Sequence, residues 1–501
     1  MKMTMHTLKE YLTVLDCNEL IEVYRIRQSD LEIKISHISF DSKDMRKGGI
    51  FVCKGAHFFR EYLTDAIKNG AICYISESEY ETEDPDFPRI IVNDIRKAMA
   101  LLANFFYGEA WKELKLIGIT GTKGKSTTTY YVKHIIDHYQ KQRGKPRSAV
   151  ISGIDVDDGV IFEESHLTTP ESLTLHRHFR NAVSSGMEYL EMEVSSQALK
   201  YDRTLGVVFD VGCFLNIGED HISPIEHSDF DDYFDSKLKL MEQCRIACIN
   251  IDVNHAEEIC DAAFECSKII TFGTKESADI YGHRIVKHED HISFYVRTPE
   301  FNKEFRLTMP GLFNVENALA SIAICYALNI PSDSMYEGLL HAKVAGRMET
   351  FLGAKSKTLV IVDYAHNRMS FDRLFTSTIK EYPDRKIFAV FGCPGKKALK
   401  RRQELAEIAG TYSKKIYITE EDAGEESVLD ISREIAKHVK RTNCLYEIIE
   451  DREQAIKKAL EEADDKTVIL LTGKGRETRQ KRGTKYIECP SDVDYVLRYL
   501  E

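Results

Sequence analysis

Short apolar runs alternate with longer stretches whose apolar positions recur every three or four residues, and this alternation holds along most of the chain. Runs over 49–53, 71–75 and 89–92 predict strands, with a helix around 62–69 between the first two. The first hundred residues therefore read as a small α/β unit. From about Lys112 the same rhythm continues through runs at 115–120, 149–152, 189–194, 211–215, 246–250 and 269–272. Regular strand–helix alternation predicts a mostly parallel sheet with helices on both faces, and ligands at the carboxyl ends of its strands. Strand-like runs at 292–297 and 304–309 predict a hairpin added at one edge. The pattern starts afresh near Arg347, with strands at 359–362, 387–391, 416–418 and 468–471 and amphipathic helices over 427–440 and 451–463. The expectation is an α/β protein of three domains, divided at 1–111, 112–345 and 346–501, the last a Rossmann-like doubly wound unit. Its first strand runs into Asp363-Tyr364-Ala365-His366 instead of a glycine fingerprint, which argues against a dinucleotide coenzyme.

Composition changes this picture little. At 501 residues, with 43% hydrophobic and 30% charged positions, the chain has the make-up of a globular protein. Sixty-eight basic against 80 acidic side chains give a formal charge of -12, which disfavours non-specific nucleic-acid binding. The N-terminal stretch lacks the apolar core of a signal peptide and no run is long enough to span a bilayer, so a cytoplasmic protein without membrane insertion is expected. The 12 cysteines are scattered. Cys244 and Cys248 have no second pair or histidines at zinc-site spacing, so reduced thiols are expected.

The stretch with most chemistry is Lys115-Leu116-Ile117-Gly118-Ile119-Thr120-Gly121-Thr122-Lys123-Gly124-Lys125-Ser126-Thr127, an apolar strand running into glycines and then into a helix. Gly121 and Gly124 let backbone N–H groups converge on phosphate oxygens, the following helix points its positive end at them, and Lys125 adds a point charge. The Ser126 hydroxyl can ligate magnesium. The general phosphate-loop pattern would need glycine at 119, where Ile119 stands, so this is a shorter G-T-K-G-K-S form. A glycine-rich turn without a ligand is the plainer alternative.

This short form resembles the ATP loop of the Mur ligases, the ATP-dependent amide-forming enzymes of bacterial cell-wall synthesis, and motifs in the same order follow along nearly the whole chain. The resemblance implies that Gly121, Thr122, Lys123, Gly124, Lys125, Ser126 and Thr127 bind ATP. Asn317, in Gly311-Leu312-Phe313-Asn314-Val315-Glu316-Asn317, would read the adenine, while Asn314 could equally be a helix cap. Arg347 would reach phosphate, and Asp363 would hold the ribose. Two magnesium ions are implied, on Ser126, Glu193, His221 and Lys237, the last as a carbamate because a free ammonium repels Mg²⁺. Lys125, Glu193, His221 and Lys237 would form the catalytic set. Domain 1–111 would bind the uridine end of a UDP-muramoyl-peptide through Phe40, Ser42, Ala56, His57 and Phe58, joined by Thr168, Thr169, Ser195 and Arg203 from domain 112–345. Tyr201 stands where that arginine's motif has glutamine.

The match is nearest those family members that add the third residue of the peptide stem. Departures cluster in the third domain, expected to bind the amino acid. Cys393-Pro394-Gly395-Lys396-Lys397 replaces a Gly-Gly-Asp-Arg type loop, with Lys397 at the arginine position, and Asn367-Arg368-Met369 replaces Thr-Pro-Asp. Members that use meso-diaminopimelate carry Asp-Asn-Pro-Arg where this chain has Glu421-Asp422-Ala423-Gly424. Gly424 offers no guanidinium, and Glu420, Glu425 and Glu426 would favour a distal ammonium. Gly473 and Glu477 match residues that hold the acceptor's amino-acid end. The expectation is a monomeric ligase that adds L-lysine or a similar cationic amino acid to UDP-N-acetylmuramoyl-L-alanyl-D-glutamate through an acyl phosphate. The alternatives are a diaminopimelate-adding enzyme, a ligase of the folylpolyglutamate synthase kind, and a nucleotide-binding paralogue without turnover.

Overall fold

The computed structural model describes residues 5–55, 58–220, 222–223, 226–396 and 399–500. Three large sheets follow one another along the chain, each with its own helices, and Arg479–Arg482 with Lys485–Glu488 adds a separate two-stranded one. The first has five strands in the order Ile21–Arg25, Arg89–Val92, Ala71–Ser76, Gly49–Val52 and His37–Ser39, parallel except for the first pair. The helix Ile95–Phe106 leads out of it. Asp94 caps that helix by accepting the N–H groups of Arg96 and Lys97.

The second sheet has eleven strands, and Lys115–Thr120 lies inside it, parallel to Tyr189–Glu193 on one side and to Phe209–Phe214 on the other. Both neighbours come later in the chain, so a crevice opens where the strand order divides, at the carboxyl ends. Ile117, Ile119, Val211 and Cys213 are fully buried, as a sheet covered on both faces requires. The helix Lys125–Gln142 packs on it through Tyr131, Val132, Ile135 and Ile136. The expected hairpin forms at one edge from Ile292–Arg297 and Asn302–Leu307.

Three strands of this sheet escape the sequence pattern, as do Ile21–Arg25 and His37–Ser39 of the first. Ile280–Lys287 joins the hairpin to the parallel strands, and it leaves Arg284, Ile285 and Val286 exposed. At the opposite edge Asp155–Asp157 and Phe162–Glu164 pair antiparallel. Phe162–Glu164 is exposed throughout, so no buried alternation marks it.

The third sheet runs Glu349–Leu352, Leu359–Asp363, Thr467–Thr472, Lys386–Phe391, Lys415–Ile418 and Leu445–Ile448, parallel but for the first pair. The four expected strands are its centre. The two extra ones are half-exposed edges with weak patterns. One apolar cluster runs from Ile117 and Val315 of the second sheet's unit to Phe371, Leu374 and Phe375 of the third. These last three belong to the helix Arg368–Glu381. At about 1.5–3 kcal/mol for each fully buried side chain, they anchor that helix independently of its polar contacts.

Candidate active site

The loop between Thr120 and Lys125 is held from below. Gly121 has φ +149° and Gly124 φ +87°, and a Cβ on Gly124 would lie 2.3 Å from Asn317 Oδ1, so only glycine fits there. The Thr122 N–H donates to the Asn216 carbonyl at 3.0 Å and the Lys123 N–H to Asn216 Oδ1 at 2.8 Å. Asn216 Nδ2 donates back to the Lys123 carbonyl at 2.9 Å. Thr122 Oγ1 lies 3.0 Å from the Tyr233 hydroxyl and accepts the Gly218 N–H at 3.1 Å. Asn216 thus braces the loop. Its place just beyond the neighbouring strand Phe209–Phe214 was the available sequence signal.

Two lysines converge on one carbonyl. Lys125 Nζ donates to Gly121 O at 2.8 Å, and Lys237 Nζ, from the helix Phe230–Glu242, donates to the same oxygen at 3.1 Å. Lys237 is 1% exposed and lies 4.7 Å from the centre of the Tyr233 ring. Burial pushes both amines below the usual lysine range, and for Lys237 the neighbouring Lys125 charge adds to the effect. Lys123 is lowered to about 8, first by burial, with Asp220 opposing the shift across a 3.2 Å ion pair. Three amines at one loop make a site for an anion of high charge.

Ser126 opens the helix after the loop, and its Oγ accepts Arg347 Nη2 at 3.3 Å from the third unit. Thr127 is buried beside it, and the Thr128 N–H closes the first turn on the Gly124 carbonyl. Glu193 ends its strand buried and accepts the Gly153 N–H at 2.7 Å. Its charge lies close enough to favour the protonated Lys125. A hydroxyl and a carboxylate at adjacent strand ends are the hard oxygen donors magnesium takes, so Ser126 and Glu193 fit that ion. His221 lies outside the described residues.

Asn317 is buried against the loop. Its Nδ2 donates to Asn314 Oδ1 at 2.9 Å, and its Oδ1 lies 3.5 Å from Thr128 Oγ1. Asn314 does not cap its helix. Phe313 occupies the cap position, and Asn314 Nδ2 donates to the Pro310 carbonyl at 2.6 Å, tying down the preceding loop. In the third unit the Asp363 carboxylate accepts the N–H groups of Met348 at 2.9 Å and Ala365 at 2.8 Å. That rigid turn sets Tyr364 under the Arg347 guanidinium, 4.7 Å away.

Residues expected at the uridine and peptide end spread over two units. Phe40 lies 5.4 Å from Lys54 Nζ, Ser42 begins a short 3-10 turn capped by Asp41, and Phe58 packs 5.1 Å from Tyr80. Ala56 and His57 lie outside the described residues. Lys54 pairs with Glu171, Arg203 pairs with Glu171 at 2.7 Å, and Arg203 donates to the Thr169 carbonyl at 2.9 Å. This Lys54–Glu171–Arg203 chain ties the first unit to the second and is not legible from spacing. Tyr201 has a structural reason: its ring lies 3.7 Å from the Arg96 guanidinium of the first unit. Thr169 Oγ1 donates to the Glu193 carbonyl at 2.9 Å and accepts the Ser195 N–H at 3.0 Å, while Ser195 caps the helix Ser196–Lys200. These two hydroxyls thus hold the strand end, and Thr168 lies beside Gly153.

On the third unit the acidic loop differs from its sequence reading. Glu420 pairs with Arg482 at 2.6 Å, Glu425 with Lys396 at 2.9 Å and Glu426 with Arg402 at 2.7 Å, so none of the three offers an unengaged charge to a ligand. Glu421 is different. It is buried, burial pushes its carboxyl up to about 8, and among the described residues no hydrogen bond reaches it. It lies over Gly473, whose Cβ would sit 2.2 Å from Glu421 Oε2. Asp422 accepts from Lys474 Nζ at 3.2 Å and from the Lys481 N–H at 2.9 Å. Glu477 accepts from the Tyr364 hydroxyl at 2.8 Å and from Lys474 at 2.7 Å. Lys474 is therefore the hub of this face, a role the Gly473-Lys474-Gly475 stretch only hinted at. Gly424, with φ +59°, turns the chain to pair with Lys481 and Gly483. A Cβ on Gly395 would lie 1.9 Å from the Ala423 carbonyl, so the divergent Cys393-Pro394-Gly395 loop is packed on this one. Lys397 lies outside the described residues.

A glycine-lysine loop at a sheet switch point, faced by a doubly wound unit that carries the buried Glu421, is the arrangement an ATP-using ligase needs. The Mur ligase middle domain matches residues 119–325, and the Mur ligase glutamate ligase domain matches 346–475. A UDP-N-acetylmuramoyl-L-alanyl-D-glutamate–L-lysine ligase of Streptococcus thermophilus is 36% identical over 478 residues, covering 93% of each chain. One of the same name from Enterococcus faecalis is 37% identical over 473 residues, 93% of this chain and 91% of that one. A solved UDP-N-acetylmuramoyl-L-alanyl-D-glutamate–2,6-diaminopimelate ligase shares the fold, with a TM-score of 0.67 at 21% identity over 99% of both chains. The chain belongs to the Mur ligase family, and it is an ATP-dependent ligase that forms peptide bonds.

Proposed function

We propose that this ligase adds L-lysine, or a similar cationic amino acid, to UDP-N-acetylmuramoyl-L-alanyl-D-glutamate in the cytoplasm, acting as a monomer in peptidoglycan precursor synthesis. The observation that carries the acceptor assignment is the buried Glu421 carboxyl without a hydrogen-bond partner among the described residues, beside Asp422 and Glu477. A buried carboxyl of this kind calls for a cation. The arginines near this face already have carboxylate partners: Arg476 pairs with Glu349 at 2.7 Å, Arg452 with Asp492 at 2.6 Å, and Arg401 reaches Asp220 at 3.4 Å. The lysine-ligase names of the relatives point the same way.

In this reading domain 1–111 holds the uridine end through Phe40, Ser42, Ala56, His57 and Phe58. Domain 112–345 holds ATP on residues 121–127 and Asn317, and places the peptide by Thr168, Thr169, Ser195 and Arg203. Domain 346–501 supplies Arg347 and Asp363 to the nucleotide, and Lys397, Glu421, Asp422, Gly424, Gly473 and Glu477 to the amino acid. Carboxylate is a poor electrophile. Its oxygen takes the γ-phosphoryl group, ADP leaves, and the acceptor amine displaces phosphate from the acyl phosphate to form the amide. Lys125 neutralises charge on the transferring group. Two bound magnesium ions would supply further neutralisation, held by Ser126, Glu193, His221 and Lys237. Lys237 would serve there as a carbamate: burial lowers its amine below the usual lysine range, which favours the free amine that attacks carbon dioxide, forming an N–C bond and releasing a proton.

The test is a competition assay with ATP and the UDP-muramoyl-dipeptide, with products resolved by mass. Lysine should be incorporated more efficiently than meso-diaminopimelate, and the reverse order overturns the assignment. A second prediction concerns pH. Glu421 is neutral below about 8 and ionised above it, whereas the lysine side chain stays charged throughout. The KM for lysine should therefore fall as pH rises from 6.5 to 8.5, by up to about tenfold per unit below the midpoint. Glu421→Gln should flatten that dependence and raise KM, and a Glu421→Gln profile superimposable on wild type would refute the role.

A further inference from the structure

The helix Arg368–Glu381 lies across the second unit and touches it at both ends. At its C-terminal end, Glu381 is buried and accepts the Gly311 N–H at 3.0 Å and the Leu312 N–H at 2.9 Å. Ser377 Oγ accepts the Leu312 N–H as well, at 2.9 Å. Midway, Arg373 pairs with Glu316 at 3.2 Å. These contacts fix the helix to the segment leading into the buried helix Asn314–Ala327.

The N-terminal end is built differently. Asn367 divides its amide between two tasks: Oδ1 caps its own helix by accepting the Ser370 N–H at 3.1 Å, and Nδ2 donates across to Asp220 Oδ2 at 2.5 Å. Arg401, also of the third unit, reaches Asp220 Oδ1 at 3.4 Å. Lys123 of the phosphate loop pairs with Asp220 Oδ2 at 3.2 Å. Next to this group, Met369 Cε lies 2.1 Å from where a Cβ on Gly218 would be, so the two units meet there without room for a side chain. One buried carboxylate is thus read by the phosphate loop on one side and by two groups of the third unit on the other.

From this arrangement we infer that the helix is pivoted at Glu381 and latched at Asn367, and that Asn367 and Arg401 are positioning residues that couple closure of the third unit to the state of the phosphate loop. The charge count gives the direction. When phosphates draw Lys123 away, Asp220 loses that cation, and its hold on Asn367 and Arg401 tightens. Nucleotide loading then closes the site before phosphoryl transfer, keeping water from the acyl phosphate.

The decisive variant is Asn367→Asp. Aspartate caps a helix as well as asparagine, so the helix keeps its start, while the donor facing Asp220 becomes a like charge. Arg401→Gln, at a more accessible position, is the second variant. With a non-hydrolysable ATP analogue, wild type should scatter X-rays as a more compact particle than Asn367→Asp. Nucleotide affinity should fall together with the compaction, because binding and closure are coupled reciprocally. Turnover should show kcat down at least tenfold for Asn367→Asp and several-fold for Arg401→Gln, with KM for ATP raised in step with the lost affinity. The activity arm rests on the ligase reading, but scattering needs no acceptor, so failure of the lysine assignment would leave the latch result standing. If both variants are as compact as wild type and turn over within twofold of it, the latch is refuted. Should Asn367→Asp lose stability, Arg401→Gln alone decides: wild-type compaction overturns the inference, and lost compaction upholds it.

Discussion

Lys125→Ala should lower ADP formation by about 10²–10³, the loss expected when a preorganised transition-state contact worth about 2.7–4 kcal/mol is removed. Lys125 Nζ is held within the loop by the Gly121 carbonyl at 2.8 Å, and in the proposed reading it neutralises the outer phosphates. Lys123 does not replace it, because that amine lies on the Asp220 side of the loop, whereas Lys125 is held by the loop's own Gly121 carbonyl. Nor does Arg347, which reaches the site from the third unit and contacts Ser126. The loop itself should survive the change, since its shape rests on Asn216 and on the two glycines. The measurement is coupled ADP release with the UDP-muramoyl-dipeptide and lysine present, alongside a melting curve. A rate within threefold of wild type, with melting unchanged, would remove Lys125 from the phosphate site.

The strand, glycine loop and helix around Lys125 were legible because their signals are local: two glycines, a lysine and a hydroxyl within six residues, after an apolar strand. The sheet centres were legible for a similar reason, since strands buried on both faces must be apolar throughout. What escaped was long-range. Nothing in the spacing of Asn216, Asp220 and Asn367 shows that they meet around Lys123, and nothing near Tyr201 announces Arg96. Charge patterns misled where pairing intervened. Glu420, Glu425 and Glu426 read as an open acidic surface, yet each has its own cation, while the adjacent buried Glu421 accepts no hydrogen bond among the described residues. The Asn314 cap reading failed because the chain enters that helix one residue earlier than its cap-like side chain suggests.

Lys237→Ala should be nearly inactive, with a loss on the order of 10² or more, and yet fold at least as well as wild type. The two halves of that expectation have different causes. Burying an amine whose contacts among the described residues are a carbonyl and a tyrosine ring is unfavourable, so its removal relieves a desolvation cost that offsets the small cavity left behind. Activity depends on what the amine becomes. As an ammonium it would oppose Lys125 and any metal ion near Gly121, whereas as a carbamate it presents anionic oxygens at the end of a long arm. Lys237→Arg separates charge from carbamylation, because a guanidinium keeps the positive charge and does not take up carbon dioxide. It should be as inactive as Lys237→Ala. Acetate or formate, added at increasing concentration, should restore part of the Lys237→Ala rate by supplying the missing oxygens, and should do little for Lys237→Arg, where the side chain still fills the space. Removing dissolved carbon dioxide should slow the wild-type enzyme reversibly and leave both variants unchanged. Full activity of Lys237→Ala would show that the buried amine is no more than packing beneath the loop.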